Sequence, residues 1–512
     1  MTGVDWTSGY VSDVAYTFGY YAELNPLRAR LAFHQSWLAF PEIRTACELG
    51  FGQGLSVNIH AAASGVEWHG TDFNPSQAAF AQELAGAADS RASLRDDSFF
   101  EFSQRQDLPD FDFIGIHGIW SWISDENRAL LADFVRRKLR PGGVLYISYN
   151  TLPGWSTFAP MRHLLTQHEG VVGANGGGIV ERINGALDFA ERLIGVDPLY
   201  ARANPQVADR LKRLRLQDRN YLAHEYFNRD WHPMHFSAMA EWLTPAKLTY
   251  ACSAHPLDLV NAVNLSQEQQ ALLAEFPDPL FRETIRDFMV NQQFRRDYWV
   301  KGPRKLSPIE QHEAVHAEKV VLVTPRADIS LQVAGALGEA TMSSEVYHPI
   351  LDALADHKPR TLGQIHQAVA SSLNIAQIME AALVLSSAGH LAPVQDEKTI
   401  QKAKPKTARL NGYIQSRARG SGDINFLASP VTGGGVPVPR VGQLFLMAQT
   451  LGARTPSEWA AFAWQIFSAQ GQKLIKDNVV LESADDNLAE LRNQAELFST
   501  KTFPALKGLG VA

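Results

Sequence analysis

Cysteine is almost missing. Cys47 and Cys252 are the only two in 512 residues, and no C-x-x-C pair occurs. This excludes a disulfide framework and fits a reducing, cytoplasmic setting. No apolar run is long enough to span a bilayer, so membrane insertion is not expected. The N-terminal "MTGVDWTSGY" has neither the basic nor the apolar stretch of a signal peptide. Basic charge is not in excess either: 54 acidic residues face 47 Lys and Arg, for a net charge of -7. That balance argues against nucleic acid as a partner.

What is present is ordinary soluble composition, with 45% hydrophobic and 20% charged residues. Cores stop growing at about 250–300 residues, so two to four domains are expected. The first 150 residues alternate strand and helix. "RTACEL", "EWHGTD", "RASLRDD", "FDFIGIHG" and "VLYISYN" read as strands. Helices start at plausible caps, Asn74 before Pro75 and Ser124 before "DENRALLADFVRRKL". Such alternation predicts a parallel sheet with helices on both faces, with ligands at the carboxyl ends of the strands. Glu48, Asp72, His117 and Tyr149 fall at or just beyond those ends.

"ELGFGQG" at 48–54 is the most specific stretch. A dinucleotide turn spaces its glycines G-x-G-x-x-G; here Gly50, Gly52 and Gly54 fall one residue short. Glu48 is unhelpful to a pyrophosphate and useful to an ammonium group. Asp72, about 20 residues on, suits a pair of ribose hydroxyls. An adenosine ligand with a cationic tail and no phosphate is expected, and S-adenosyl-L-methionine fits.

In order, "ELGFGQG", "TDFNP", "DDSF" and "LRPGG" resemble the motifs of class I S-adenosylmethionine-dependent methyltransferases. The resemblance implies that Gly50, Gly52 and Gly54 line the methionine part and that Glu48 holds its amino group. It implies Asp72 on the ribose, Phe73 on the adenine face, and Asp97 and Ser98 at the adenine edge, with Asp96 the competing choice. His117 and Gly118 then lie beside the methyl; His117 is either a proton-transfer group or a hydrogen-bonded pocket histidine.

"YVSDVAYTFGYYAELNP", "YNTLPGW", "NYLAHEYFNRDWHPMHFSAMAEWL" and "DFMVNQQFRRDYWV" narrow this further. Together they resemble bacterial methyltransferases carrying a methyltransferase regulatory domain, a group that includes rickettsial protein-lysine methyltransferases acting on outer-membrane proteins. A lysine on a protein substrate is the acceptor this favours. Tyr10, Tyr16, Phe18, Tyr20 and Tyr21 read either as a lid or as packing. Tyr16, His117, Tyr149 and Asn150 are the candidate catalytic residues, with Trp120, Trp122 and Trp155 around the acceptor. His224, Glu225, His232 and His235 fail H-E-x-x-H because Asn228 stands at its second histidine, so a hydrogen-bond network is favoured over a metal site.

The expected fold is α/β: a Rossmann-like methyltransferase domain with a mostly parallel sheet over 1–260, capped by an insertion at 156–235. A helical middle region (261–310), including a helix at 287–300, a winged-helix-like α+β part (311–398) and a C-terminal helical region (405–512) follow. Residues 395–410 read as a charged linker and "SPVTGGGVPVPR" as a loop. Acids outnumber bases over 339–395, which favours protein contact or a homodimer over DNA. The alternatives are a methyltransferase for a small molecule, sugar or lipid, and a non-catalytic S-adenosylmethionine sensor.

Overall fold

The structure, a computed structural model, describes residues 17–173, 178–369 and 372–512. Its centre is a seven-stranded sheet. The strands are β1 (Thr45–Leu49), β2 (Glu67–Thr71), β3 (Ser93–Arg95), β4 (Phe111–Ile116), β5 (Leu139–Asn150), β6 (Thr249–Ser253) and β7 (Phe294–Val300). They lie in the order β3-β2-β1-β4-β5-β7-β6. β1 to β5 are mutually parallel; β7 runs antiparallel to both β5 and β6.

Both faces are covered, so the central strands are apolar throughout, as parallel strands must be. Side chains alternate across the pleat. Leu145, Ile147 and Tyr149 join one core with Phe134, Phe236 and Trp299. Val144 and Tyr146 join the other with Phe33, Trp68 and Tyr298. The helix Leu55–Ala63 is buried along its whole length. It is sandwiched between the sheet and a long helix, Glu397–Arg417.

Two stretches differ from the sequence expectation. Residues 287–300 do not form one helix: the helix Pro279–Met289 stops, and β7 begins at Phe294. The alternation of β7 is disguised because its inward residues are charged. Arg295, 5% exposed, is held by Asp297 (3.0 Å), Asp287 (2.6 Å) and Glu283 (2.8 Å). Residues 395–410 are no linker but most of the helix Glu397–Arg417, which buries Ile400, Ala403, Thr407, Leu410 and Ile414 at helical spacing beneath a charged outer face.

The described residues of segment 156–235 are largely helical and share a separate core, Phe158, Leu187, Leu211 and Tyr226 with Trp155 just before them. The segment returns to the sheet through His232 N–H on the Ser121 carbonyl (2.8 Å) and Met234 N–H on the Asn150 carbonyl (3.1 Å). Beyond the sheet lie a three-stranded unit with helices at 344–353, 362–369 and 375–387, and a C-terminal helical part built around a hairpin, Phe426–Ser429 with Gly434–Pro437. Among the described residues, no helix is long and apolar enough to cross a membrane.

Candidate functional site

At the carboxyl ends of β1, β2 and β4 lies a cavity of about 90 Å3, lined by Thr17, Gly19, Tyr21, Glu48, Gly50–Gln53, Asp72–Asn74, Gln77, Phe99, His117–Ile119, Trp122 and Ile123. The glycine turn leaves β1 with positive φ at Gly50, Gly52 and Gly54. At Gly50 a Cβ would fall 2.4 Å from the Ile119 side chain, so the turn and the loop after β4 meet only because Gly50 has none. Gly54 serves packing instead: it opens the helix Leu55–Ala63, and a Cβ there would fall 2.4 Å from Ala81.

Two carboxyls face the cavity. The Asp72 carboxylate accepts Gly52 N–H at 2.8 Å and Asn74 N–H at 3.1 Å. Burial still pushes its pKa up to about 6, against the pull of those two bonds. Glu48 is 2% exposed, and its Oε2 has no hydrogen-bond partner among the described residues. Burial, then the charge of Asp72, pushes it up to about 8. A buried carboxyl with an unpartnered oxygen is costly unless a ligand completes it.

His117 closes the β4 side. Its Nδ1 meets the Tyr146 hydroxyl at 2.7 Å, and the Tyr21 ring stacks on it with centroids 3.8 Å apart. Burial holds its pKa down at about 4. The ring is therefore neutral near pH 7, which favours the hydrogen-bonded pocket histidine over a proton-transfer group. Ser148 accepts Gly118 N–H at 2.8 Å and fixes that turn.

The remaining sequence candidates lie apart. Phe73 lines the cavity, but Asp97 and Ser98 do not. The Asp97 carboxylate pairs with Arg105 at 3.2 Å and its carbonyl accepts the Thr71 hydroxyl. Ser98 caps the helix Phe99–Gln104 in a reciprocal capping box with Glu101. That loop gives the cavity Phe99 instead. Tyr149 points to the opposite face of β5, its hydroxyl on Asp297 at 2.8 Å. Asn150 is fixed by its backbone, its N–H donated to the Ser121 hydroxyl at 2.8 Å. Trp122 lines the cavity; Trp120 and Trp155 are buried elsewhere. Tyr10 and Tyr16 lie outside the described residues.

Two groups on the helix Arg219–Tyr226 of the insertion lie outside the cavity lining. Tyr221 lies within electrostatic reach of Glu225, one turn on, and of Tyr21. Burial pushes Glu225 up to about 7. Neighbouring Trp231 stands 6.4 Å from Trp122, ring to ring. His235 stacks on Phe288, and among the described residues no cluster of three His, Cys, Asp or Glu could hold a metal.

Five parallel strands, an antiparallel seventh inserted beside the fifth, and a glycine turn after β1 define the class I methyltransferase fold. Residues 218–301 match the predicted methyltransferase regulatory domain. The chain belongs to the family of the Synechocystis uncharacterized protein sll1526, to which it is 39% identical over 99% of its own length and 100% of that protein's. It is also 29% identical over 132 residues to the uncharacterized protein RP028 of Rickettsia prowazekii, which covers 25% of this chain and 52% of that one. Among solved structures, PKMT2 from Rickettsia typhi in complex with AdoHcy superposes with a TM-score of 0.69 at 17% identity, covering 97% of this chain and 100% of that one.

Proposed function

We propose that the protein is a methyltransferase that uses S-adenosylmethionine to methylate lysine side chains of a protein. The carrying observation is the pair of buried carboxyls at the ends of adjacent strands, Asp72 bound to the glycine turn and Glu48 with an unpartnered oxygen. A nucleoside with an ammonium-bearing tail satisfies both. The fold and the regulatory domain support the same reading.

When bound, S-adenosylmethionine supplies a methyl group on an already activated sulfonium, so the chain's work is mostly positioning. Glu48 would bind the ammonium and Asp72 the ribose hydroxyls, with Phe73 and Phe99 for the base. Tyr21, Ile119, Trp122 and Ile123 exclude water. Residues 17–21 run along the cavity beside Glu48 and His117, and we assign them to cover a bound nucleoside. The acceptor lysine must lose its proton before it attacks. We assign Glu225 to receive that proton: it sits one turn from Tyr221, which is within electrostatic reach of the cavity residue Tyr21, and burial raises its pKa to about 7.

The lysine acceptor rests on the resemblance of the aromatic and charged stretches to the rickettsial protein-lysine methyltransferases; the likeness to PKMT2 supports the fold on which that reading stands. Incubating lysate with methyl-labelled cofactor and the protein tests it. Label on protein, hydrolysing to methyl-lysine, is the expected result. Label only on small molecules would replace the acceptor, and binding without turnover would leave a sensor.

A further inference from the structure

The stretch "SPVTGGGVPVPR" has no part in the site described above. In the structure it forms half of the hairpin Phe426–Ser429/Gly434–Pro437, and Tyr20 lies flat against it. A Cβ on Gly434 would fall 2.5 Å from the Tyr20 hydroxyl, and one on Gly435 would fall 3.0 Å from its ring. Neither glycine has a positive φ; both are there for space. Tyr20 also packs on Phe426 (5.0 Å between centroids) and bonds His60 Nε2 at 3.2 Å. The C-terminal part thus grips the residue next to Tyr21, the roof of the candidate site.

Behind Tyr20 is a second cavity, of about 340 Å3, between residues 20–28, the segment 386–393 and the hairpin. Most of its wall is apolar, including Val323, Leu391, Pro393 and Val436. Its polar groups are few. Asn25 accepts from Leu27 N–H and donates to the Thr432 carbonyl. Glu23 is committed to Arg296 at 2.8 Å; burial pushes its pKa up, but Arg28 and Arg296 outweigh this and hold it at about 2.

Two donors remain. Arg28 makes one long bond, Nη2 to the Ser386 carbonyl at 3.3 Å, and its Nε–H has no partner among the described residues. The Thr432 hydroxyl belongs to a residue 3% exposed and is likewise unpartnered. Of the lining residues only Arg28 and Glu23 are charged; Glu23 is ion-paired with Arg296, which does not line the cavity, whereas Arg28 makes no salt bridge among the described residues. An apolar pocket whose one guanidinium has no ion-pair partner, and whose Glu23 is committed elsewhere, is complementary to an apolar body bearing a single anionic head.

We propose that this cavity is an effector site for a small amphipathic carboxylate, held by Arg28 and Thr432, and that its occupancy is felt at the candidate site through Tyr20 and Tyr21. A ligand here presses on Tyr20, while the adjacent Gly19 and Tyr21 line the neighbouring cavity. The binding half stands whatever the chemistry of the first site; only the coupling half rests on the proposed function.

The test is calorimetric titration of the full-length protein with octanoate and benzoate, with inorganic phosphate as a head group lacking a body. One carboxylate is expected to bind one-to-one, with phosphate at least tenfold weaker. Arg28→Met and the near-isosteric Thr432→Val should each weaken that binding at least tenfold while circular dichroism stays native. Ala392→Trp, which fills the cavity, should abolish it. Saturating carboxylate should shift the Kd for S-adenosylhomocysteine at least threefold. No saturable binding of either carboxylate, or equal binding by Arg28→Met and Ala392→Trp, overturns the site. Binding without a shift in the S-adenosylhomocysteine Kd overturns the coupling. Carboxylate binding by a protein that binds no S-adenosylhomocysteine upholds the site and overturns the proposed function instead.

Discussion

The Tyr21 ring lies on the His117 ring with centroids 3.8 Å apart and 30° between their planes. Both residues line the cavity at the end of β4. An aromatic pair contributes about 0.5–1.5 kcal/mol beyond its buried area. Tyr21→Ala should therefore speed association of S-adenosylhomocysteine about two- to tenfold in stopped-flow fluorescence, and speed its release as well. Unchanged association would mean that the roof does not gate entry.

Glu48 makes ligand affinity and stability depend on pH in opposite senses. Its pKa in the folded, ligand-free protein is raised from an ordinary 4.5 to about 8. Between those values the folded protein keeps a proton that the unfolded chain has lost. Stability should thus fall as pH rises through that window and level off above it. A cationic ligand needs the ionised form, so its affinity should rise towards pH 8, with proton release detectable by calorimetry in buffers of different ionisation enthalpy. Glu48→Gln should flatten both profiles and weaken binding.

Asp72→Ala should cost S-adenosylmethionine at least about 1.5 kcal/mol of binding, the scale of a lost charge-assisted hydrogen bond. Part of the loss comes through the glycine turn, because Gly52 N–H loses its acceptor. Calorimetry at pH 7.5 checks this, and unchanged affinity would move the ribose elsewhere.

Glu225→Gln should leave the Kd for S-adenosylhomocysteine unchanged and lower kcat/KM for the protein acceptor. The acid limb of the wild-type pH–rate profile, expected near pH 7, should disappear with it. A limb that survives the substitution would assign the proton to another group.

Arg295→Met leaves Asp297 and Asp287 buried without their cation. Breaking such a group from one side costs about 3–5 kcal/mol. Urea unfolding should show that loss, and Arg295→Lys should recover only part of it, since one ammonium cannot serve three carboxylates in a guanidinium's geometry.

The glycine turn, Glu48, Asp72 and the alternation to residue 150 were legible in the sequence because each is local: a strand, its end and the next helix lie within about 30 residues. What hid was set by distant partners. β7 carries Arg295 and Asp297 inward because Asp287, Glu283 and Tyr149 meet them there, so no apolar alternation marks it. Glu397–Arg417 reads as solvated charge until the helix Leu55–Ala63 supplies the surface for its other face. Tyr149 was drawn to the site by its position at a strand end, and Asp97 by the family resemblance. Which way a strand-end residue points depends on the parity of the pleat, and parity cannot be counted until the register with neighbouring strands is known.

The register of β5 with β7 also has a consequence for synthesis. β5 is complete at Asn150, but the strand that pairs along it does not begin until Phe294. A ribosome adding about 5–20 residues per second would leave that row of backbone donors and acceptors without its native neighbour for roughly seven to thirty seconds. Through that interval the nascent sheet has a long apolar edge of the kind that invites pairing with another chain. The helices of 156–235, emerging next and carrying their own core, are the first material available to shield it.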